Sequence, residues 1–408
     1  MVQAVVAVFV LVYTGMLLGK FPRLKLDRTG VALLGAIALI AGGFLSLDQA
    51  ARSIDLSTIT LLFAFMVISA QLRLGGFYTW TAEAVTSLKT SPVMLLGAVI
   101  LLTGTLSAVF MNDIVCLALP PVVIQACRRR GLDPVPFLLA VACAANVGSA
   151  ATLIGNPQNI LIGQSLGLSF SGYLLMAAAP SFLGLLATWA IIAARYHGCW
   201  QDGDAPAGSL PAGTPAWNPW QSSKALFITG VLVVAFLFTG LPRDITALGA
   251  AGLLLMSRRL HSRTMLGLVD WQLLVLFCGL FIVNCALGLT HVPELVVARL
   301  AGIGMDPSHP GWLFIMASLL SNTVSNVPAV MLLLPVAHHP LAGPVLALSS
   351  TFAGNLLIVG SIANIIVVES AAAHGIRIGW RTHAPTGIAV TAVTLALAGF
   401  TLWIWPAG

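Results

Sequence analysis

The sequence predicts an all-α polytopic membrane protein built from two inverted-topology repeats, each with a helical hairpin and an interrupted helix. Three observations predict it. Of 408 residues, 58% are hydrophobic and 8% charged, with a mean hydropathy of +0.98, a balance that soluble domains do not show. The basic residues fall in short loops that a single orientation places on one side. Two polar-tipped apolar segments also match each other along the chain.

Apolar stretches run over 2–19, 29–47, 56–72, 170–194, 224–241, 271–289 and 384–404. Each is near the ~20 helical residues needed to cross a hydrocarbon core of about 30 Å. They lack strand-like alternation, and unpaired backbone groups are costly in lipid, so they read as helices rather than barrel strands. The first stretch has no basic segment before it and is followed by Lys20, Arg23, Lys25 and Arg28, the mark of a retained helix rather than a cleaved signal. A net charge of +6 carried in loops between apolar spans reflects topology, so the expected partner is the lipid bilayer and not nucleic acid. The six cysteines are isolated, without CxxC or CxxH spacing, and imply neither a disulfide framework nor a zinc site.

If the first helix ends in the cytoplasm, 16 of the 19 Lys and Arg fall in cytoplasmic loops, leaving Arg52, Arg243 and Arg299 outside. That orientation predicts a multi-pass protein of a bacterial inner membrane with both termini periplasmic. It works only if 91–130 enters and leaves from the cytoplasm and 310–338 does the same from outside. Both are therefore expected to be hairpins. They align without a gap, Ser107 with Ser321, Asn112 with Asn326 and Pro121 with Pro335, each 214 residues apart. Asp55 pairs with Asp270 upstream; downstream, Gly155 pairs with Gly360 and Asn159 with Asn364, 205 residues apart. An odd number of crossings separates the halves, which inverts the second, an arrangement suited to alternating access. The expected division is repeat 1 over 1–196, a Gly- and Pro-rich cytoplasmic linker over 197–223, and repeat 2 over 224–408.

Polar residues inside an apolar hairpin are tolerated only where they face protein or a watery cavity. Asn112-Asp113 and Ser325-Asn326 are such clusters. After each hairpin comes an interrupted helix: 134–167, broken by NVGSAATLIGN between 146 and 157, and 341–373, broken between 353 and 358 near AGNLLIVGS. Half-helices of that size, at about 1.5 Å per residue, do not span alone. Their broken ends bring unpaired N–H and C=O groups to the membrane midplane, the former suited to an anion and the latter, with amide side chains, to Na⁺. The candidate binding residues are Asn112, Asp113, Ser149, Thr152, Gly155, Asn156, Asn159, Ser325, Asn326, Asn355, Gly360, Ser361 and Asn364. For Na⁺ the candidates are Asn112, Asp113, Asn159, Asn326 and Asn364. The competing reading of any one of them is a helix cap or a bond between helices.

Asp113 is the acidic residue in the middle of a hydrophobic hairpin, where charge needs a cation or donors to compensate it. It is therefore the candidate coupling group, carrying H⁺ or ligating Na⁺; the competing reading pins it to hairpin N–H groups. Asp55 and Asp270 read as helix caps, and Glu369 as an interfacial residue. The eight histidines fall in loops or near segment ends. Segments 77–90 and 291–303 read as interfacial helices joining mobile and fixed parts.

The motifs FMNDIVCLALPP, LIGNPQN, SNTVSNVPAV and GSIANIIVVE, repeated around two hairpins and two interrupted helices, resemble the ion transporter superfamily over nearly the whole chain. That group holds divalent anion/Na⁺ symporters, arsenite efflux pumps, citrate–metal symporters and a class of Na⁺/H⁺ antiporters. The resemblance is to an anion-permease-like member with a citrate-transporter-like domain, and it implies a homodimer with a fixed scaffold and a mobile transport domain. In the dicarboxylate branch each hairpin tip carries Ser-Asn-Thr. Here Met111-Asn112-Asp113 and Ser325-Asn326-Val327 take those places, and the literal match, Ser321-Asn322-Thr323, sits four residues early. An acidic tip is more similar to the arsenite and Na⁺/H⁺ branches. The expected function is secondary active transport of a small anion coupled to H⁺ or Na⁺, with Na⁺/H⁺ antiport or arsenite-type efflux as the alternative. The chain lacks His-Glu-x-x-His, Gly-x-Ser-x-Gly and any histidine expected mid-span, so it is not expected to be an enzyme or to need a cofactor beyond its coupling ion.

Overall fold

Six described helices are long and apolar enough to cross a bilayer: Leu56–Leu74, Pro92–Val109, Phe170–Arg195, Pro219–Phe238, Trp271–Gly288 and Trp380–Ile404. The structure is a computed structural model that describes residues 1–19, 26–201, 217–257 and 259–405. Lys20, Arg23, Lys25, Arg258 and most of the expected linker lie outside the described residues. No strand occurs among those described, apart from an isolated bridge between Leu132 and Gln201. The protein is an all-α, multi-pass membrane protein.

One expected span is cut short. The stretch 29–47 forms Arg28–Ala41 only, because Gly42 and Gly43 follow and Gly43 takes φ +72°, a left-handed turn that glycine adopts without strain. The chain then starts the short helix Leu47–Ser53, where Ser46 and Gln49 form a reciprocal capping box. Conversely, Pro92–Val109 is long enough to span, yet it is the first arm of the hairpin, turning at Phe110 and Met111 into Asn112–Arg129. Length and hydropathy alone do not separate a spanning helix from a hairpin arm.

The helices before the linker recur after it in the same order. Val2–Leu18, Arg28–Ala41, Leu47–Ser53 and Leu56–Leu74 are answered by Pro219–Phe238, Arg243–Leu255, Ser262–Leu266 and Trp271–Gly288. The hairpin arms Pro92–Val109 and Asn112–Arg129 are answered by Pro310–Val324 and Asn326–Leu333, the last extended by a 3-10 turn over Leu334–Val336. Contacts are exchanged between the two sets: Arg28–Ala41 packs on Trp271–Gly288, Arg243–Leu255 on Leu56–Leu74, and Phe170–Arg195 on Trp380–Ile404. Small residues let backbones meet in these seams; a Cβ on Gly279 would lie 2.9 Å from the Ala32 carbonyl carbon.

The two segments expected at the interface differ. Phe77–Thr86 buries Phe77, Tyr78 and Ala82 against both arms of the first hairpin. Val292–Gly302 buries no residue and meets mainly Trp271–Gly288.

Candidate functional site

The interrupted helices are Pro134–Ser149 with Pro157–Ser165, and Ala342–Ala353 with Ile362–Ala373. The first restarts where Asn156 caps it, its Oδ1 accepting from the Asn159 N–H at 2.9 Å, and Pro157 supplies a first turn that needs no donor. Carbonyls freed by the break must find donors inside the protein. Asn159 Nδ2 donates to Thr152 O at 2.9 Å and to Ser149 O at 3.4 Å. In the second break Asn364 Nδ2 donates to Leu357 O at 3.1 Å and Gly354 O at 2.8 Å, the same two bonds 205 residues later. The ends of the last helix of each set complete the pattern. Tyr173 Oη donates to Ala150 O at 2.7 Å, and His383 Nε2 lies 2.9 Å from Asn355 O.

The breaks are braced against each other by Asn146. Its Nδ2 donates to Asn355 Oδ1 at 2.9 Å and Asn364 Oδ1 at 3.1 Å, while its Oδ1 accepts from Ser361 Oγ at 2.9 Å and Asn112 Nδ2 at 3.4 Å. Every bonding position of that amide is used. Thr351, 205 residues on, accepts in return from Asn156 Nδ2 at 3.4 Å and Gln158 Nε2 at 3.2 Å.

Each hairpin tip is seated on a break. The Asn112 N–H donates to Gly155 O at 3.0 Å and Thr152 Oγ1 to Ala108 O at 2.5 Å. A Cβ on Gly155 would lie 2.3 Å from Ser149 O and 2.7 Å from Ser107 O, so only glycine lets hairpin and break approach this closely. On the other side the approach is to a side chain: a Cβ on Gly360 would stand 2.9 Å from Asn322 Oδ1, and Asn322 Nδ2 donates to Ala353 O at 2.9 Å. The tips themselves differ. Phe110 and Met111 turn the first with ordinary extended backbone, whereas Ser325 turns the second alone at φ +79°, ψ 160°, a region that non-glycine residues enter only under strain.

Between tips and breaks lies a cavity of about 20 Å³ lined by Asn112, Asp113, Pro157, Gln158, Ser325, Asn326, Val327, Ser361 and Ile362, room for about one water. Of the sequence-derived candidates, Asn112, Asp113, Ser325, Asn326 and Ser361 line it. Ser149, Thr152, Gly155, Asn156, Asn159, Asn355, Gly360 and Asn364 form the breaks behind it. Asp113 is half-buried, is in no ion pair among the described residues, and is the one ionisable residue of the lining. Within the Na⁺ candidate set, Asn112 Oδ1 and Asn159 Oδ1 are buried without a hydrogen-bond partner and fit a cation. Asn364 Oδ1 is already occupied by Asn146.

Sequence reading missed Asn146, Gln158, Thr351, Tyr173 and His383. Asn146 and Gln158 stand inside motifs it singled out, but Asn146 meets Thr351 across the repeat, so matching identities passed over both. His383 lies near a helix start, as expected of the histidines, but it is 1% exposed and touches the second break. Asp55 and Asp270 do cap helices, accepting from the Thr58 and Leu273 N–H groups at 3.1 and 2.9 Å. Glu369 is exposed.

The family model described as citrate transporter matches residues 9–345, which hold both hairpin tips and the first break. The chain belongs to the citrate transporter family. It is similar along its length to proteins named as membrane proteins or transporters. A 46 kDa membrane protein of Mycobacterium leprae is 29% identical, with 98% of this chain and 99% of that one covered. The silicon efflux transporter LSI3 of Oryza sativa subsp. japonica is 28% identical over 93% of each. The fold is that of the solved Alcanivorax borkumensis YdaH transporter, at a TM-score of 0.65 and 12% identity over 100% of this chain and 99% of that one. This citrate transporter family member is a membrane transporter and not an enzyme.

Proposed function

We propose that the protein is a secondary transporter that moves a small oxyacid, as the neutral acid or its monoanion, by alternating access of two inverted halves, with a proton carried on Asp113. One observation carries this reading: the cavity where both tips and both breaks meet is lined by amides, hydroxyls and one carboxylate, with no Lys, Arg or His among its lining residues. Amides and hydroxyls donate to and accept from a hydroxylated solute equally well. A tricarboxylate such as citrate would bring several negative charges beside Asp113 with no side-chain cation to meet them, a costly arrangement at membrane depth. The silicon efflux transporter among the relatives is named for an element whose dissolved form is such an oxyacid.

A cavity this small admits the solute only when a hairpin parts from its break, and the seats at Gly155 and Gly360 are where that parting would occur. The buried, unpartnered Asn112 Oδ1 and Asn159 Oδ1 favour a second reading, in which Na⁺ exchanges with H⁺ at Asp113. Proteoliposomes holding a pH-sensitive dye separate these readings. Proton movement on adding silicic acid or arsenite, absent with Na⁺ or citrate alone, is expected; movement driven by Na⁺ alone would replace the first reading with the second.

A further inference from the structure

An open cavity of about 660 Å³ lies at the base of the first hairpin, at the opposite end from its tip, and its size suits a small ligand. Its walls are the end of the helix Phe77–Thr86, the link 87–90 and the last turns of Asn112–Arg129. The lining holds three cations, Lys89, Arg129 and Arg130, and one carboxylate, Glu83. Arg130 straps the walls together, its Nη1 donating to Leu88 O at 3.1 Å and its Nη2 to Thr90 O at 2.5 Å. Lys89 and Arg129 are both exposed. Basic residues between spans need no ligand to explain them, because they orient the chain; here they are gathered around a cavity. Two observations put that cavity at headgroup level. Asn112–Arg129 has 18 residues, about 27 Å at 1.5 Å each, enough to bring Arg129 from a tip at membrane depth to the surface. Trp80, on the helix that gives Glu83 to the cavity, stacks on Trp217 with ring centroids 4.6 Å apart and 12° between planes. The two rings are 41% and 47% exposed, and tryptophans gather where hydrocarbon meets headgroups.

We propose that this cavity binds the phosphate-bearing headgroup of an anionic phospholipid, with Lys89 and Arg129 meeting the phosphate and Arg130 holding the walls in place. Arginine forks a phosphate with two parallel N–H bonds and lysine meets it as a point charge. Basic pockets at a membrane face recognise lipid headgroups in this way. A free phosphate offers the same chemistry to the cations but has no use for apolar surface. Pro92–Val109, the helix that leaves the link, exposes Met94 and Leu101 seven residues apart on one face, where acyl chains can lie. A bound headgroup joins the link 87–90 to the hairpin base across the cavity. The proposal is independent of the solute and of Asp113.

Purified full-length protein in a neutral detergent is titrated with phosphatidylglycerol, phosphatidylcholine or inorganic phosphate. The melting temperature is followed, and bound lipid is counted by native mass spectrometry. Phosphatidylglycerol should bind roughly thirtyfold more tightly than phosphatidylcholine, about fivefold for each of two basic side chains. Inorganic phosphate should leave the melting temperature where it was. The double variant Lys89→Gln/Arg129→Gln should lose the preference for the anionic lipid, and Lys89→Arg/Arg129→Lys should keep it. Arg259→Gln/Arg263→Gln removes the same charge from exposed positions outside the cavity and should leave the preference intact. Equal binding of the two lipids by wild type, equal protection by inorganic phosphate, or equal loss in the two glutamine double variants would each overturn the proposal. Wild type alone decides the first two, so the test stands even where a variant does not fold.

Discussion

Asn146 is where a single side chain holds most of the site together. It bonds Asn355, Asn364, Ser361 and Asn112 at complete burial. Interhelical hydrogen bonds in a bilayer average about 0.6 kcal/mol each. Losing four and orphaning their partners puts Asn146→Ala at about 2–3 kcal/mol of destabilisation, to be read as a fall in the melting temperature of purified protein. A variant that melts like wild type would mean the braces are idle. Ser325 carries a different cost. Its φ of +79° strains a non-glycine residue by about 1–3 kcal/mol, so Ser325→Gly should melt higher and Ser325→Ala should not. If the hydroxyl in the cavity is what the solute needs, both lose transport. At this scale the sequence reveals equivalent positions wherever identity repeats, as at Asn159 and Asn364, whose amides make the same bonds, and hides them where one task is shared by unlike residues. Tyr173 and His383 cover equivalent carbonyls, yet phenol and imidazole share no letter, and Asn146 and Thr351 likewise bridge the breaks with different chemistry.

Among elements, the seats between hairpins and breaks are where the proposed transport cycle would part the halves. Gly155 has carbonyl oxygens within 2.7 Å of any added Cβ, and neither can yield without moving backbone. Gly155→Ala should therefore unseat the first tip, lowering both melting temperature and uptake, whereas Gly249→Ala, where an added Cβ meets nothing within 4 Å, should change neither. Equal behaviour of the two variants would show that the seat is not under pressure. The hairpins and broken helices were legible in advance because a polar tip or a Gly-Asn-Pro turn inside an apolar run cannot continue a lipid-facing helix and so marks a bend or a break. What hydropathy could not supply was depth. It assigned 29–47 as a span although Gly42 and Gly43 end the helix at Ala41, and it gave no hint that Val292–Gly302 would bury nothing while Phe77–Thr86 packs on its hairpin.

For the molecule as a whole, charge along the chain predicts which side each loop occupies, and one native residue reports on it. Cys199 is the exposed cysteine of the six and follows the helix Phe170–Arg195, in the linker that the charge bias assigns to the cytoplasm. A membrane-impermeant maleimide should label it in inside-out vesicles and spare it in intact cells; labelling in intact cells would reverse the topology. Asp113 lies between the cavity at the hairpin tips and a separate cleft lined by the helices Leu56–Leu74 and Trp271–Gly288. The chain's repeat is therefore broken at the place where coupling is expected, Asp113 against Val327. The most direct test of that assignment is proton exchange on binding. Purified protein in weakly buffered detergent is mixed with the oxyacid that most raises its melting temperature, and the protons taken up or released are measured by a pH dye. Wild type should exchange protons and Asp113→Asn should bind the same solute with none; an unchanged proton signal in the variant would contradict Asp113 as the coupling group.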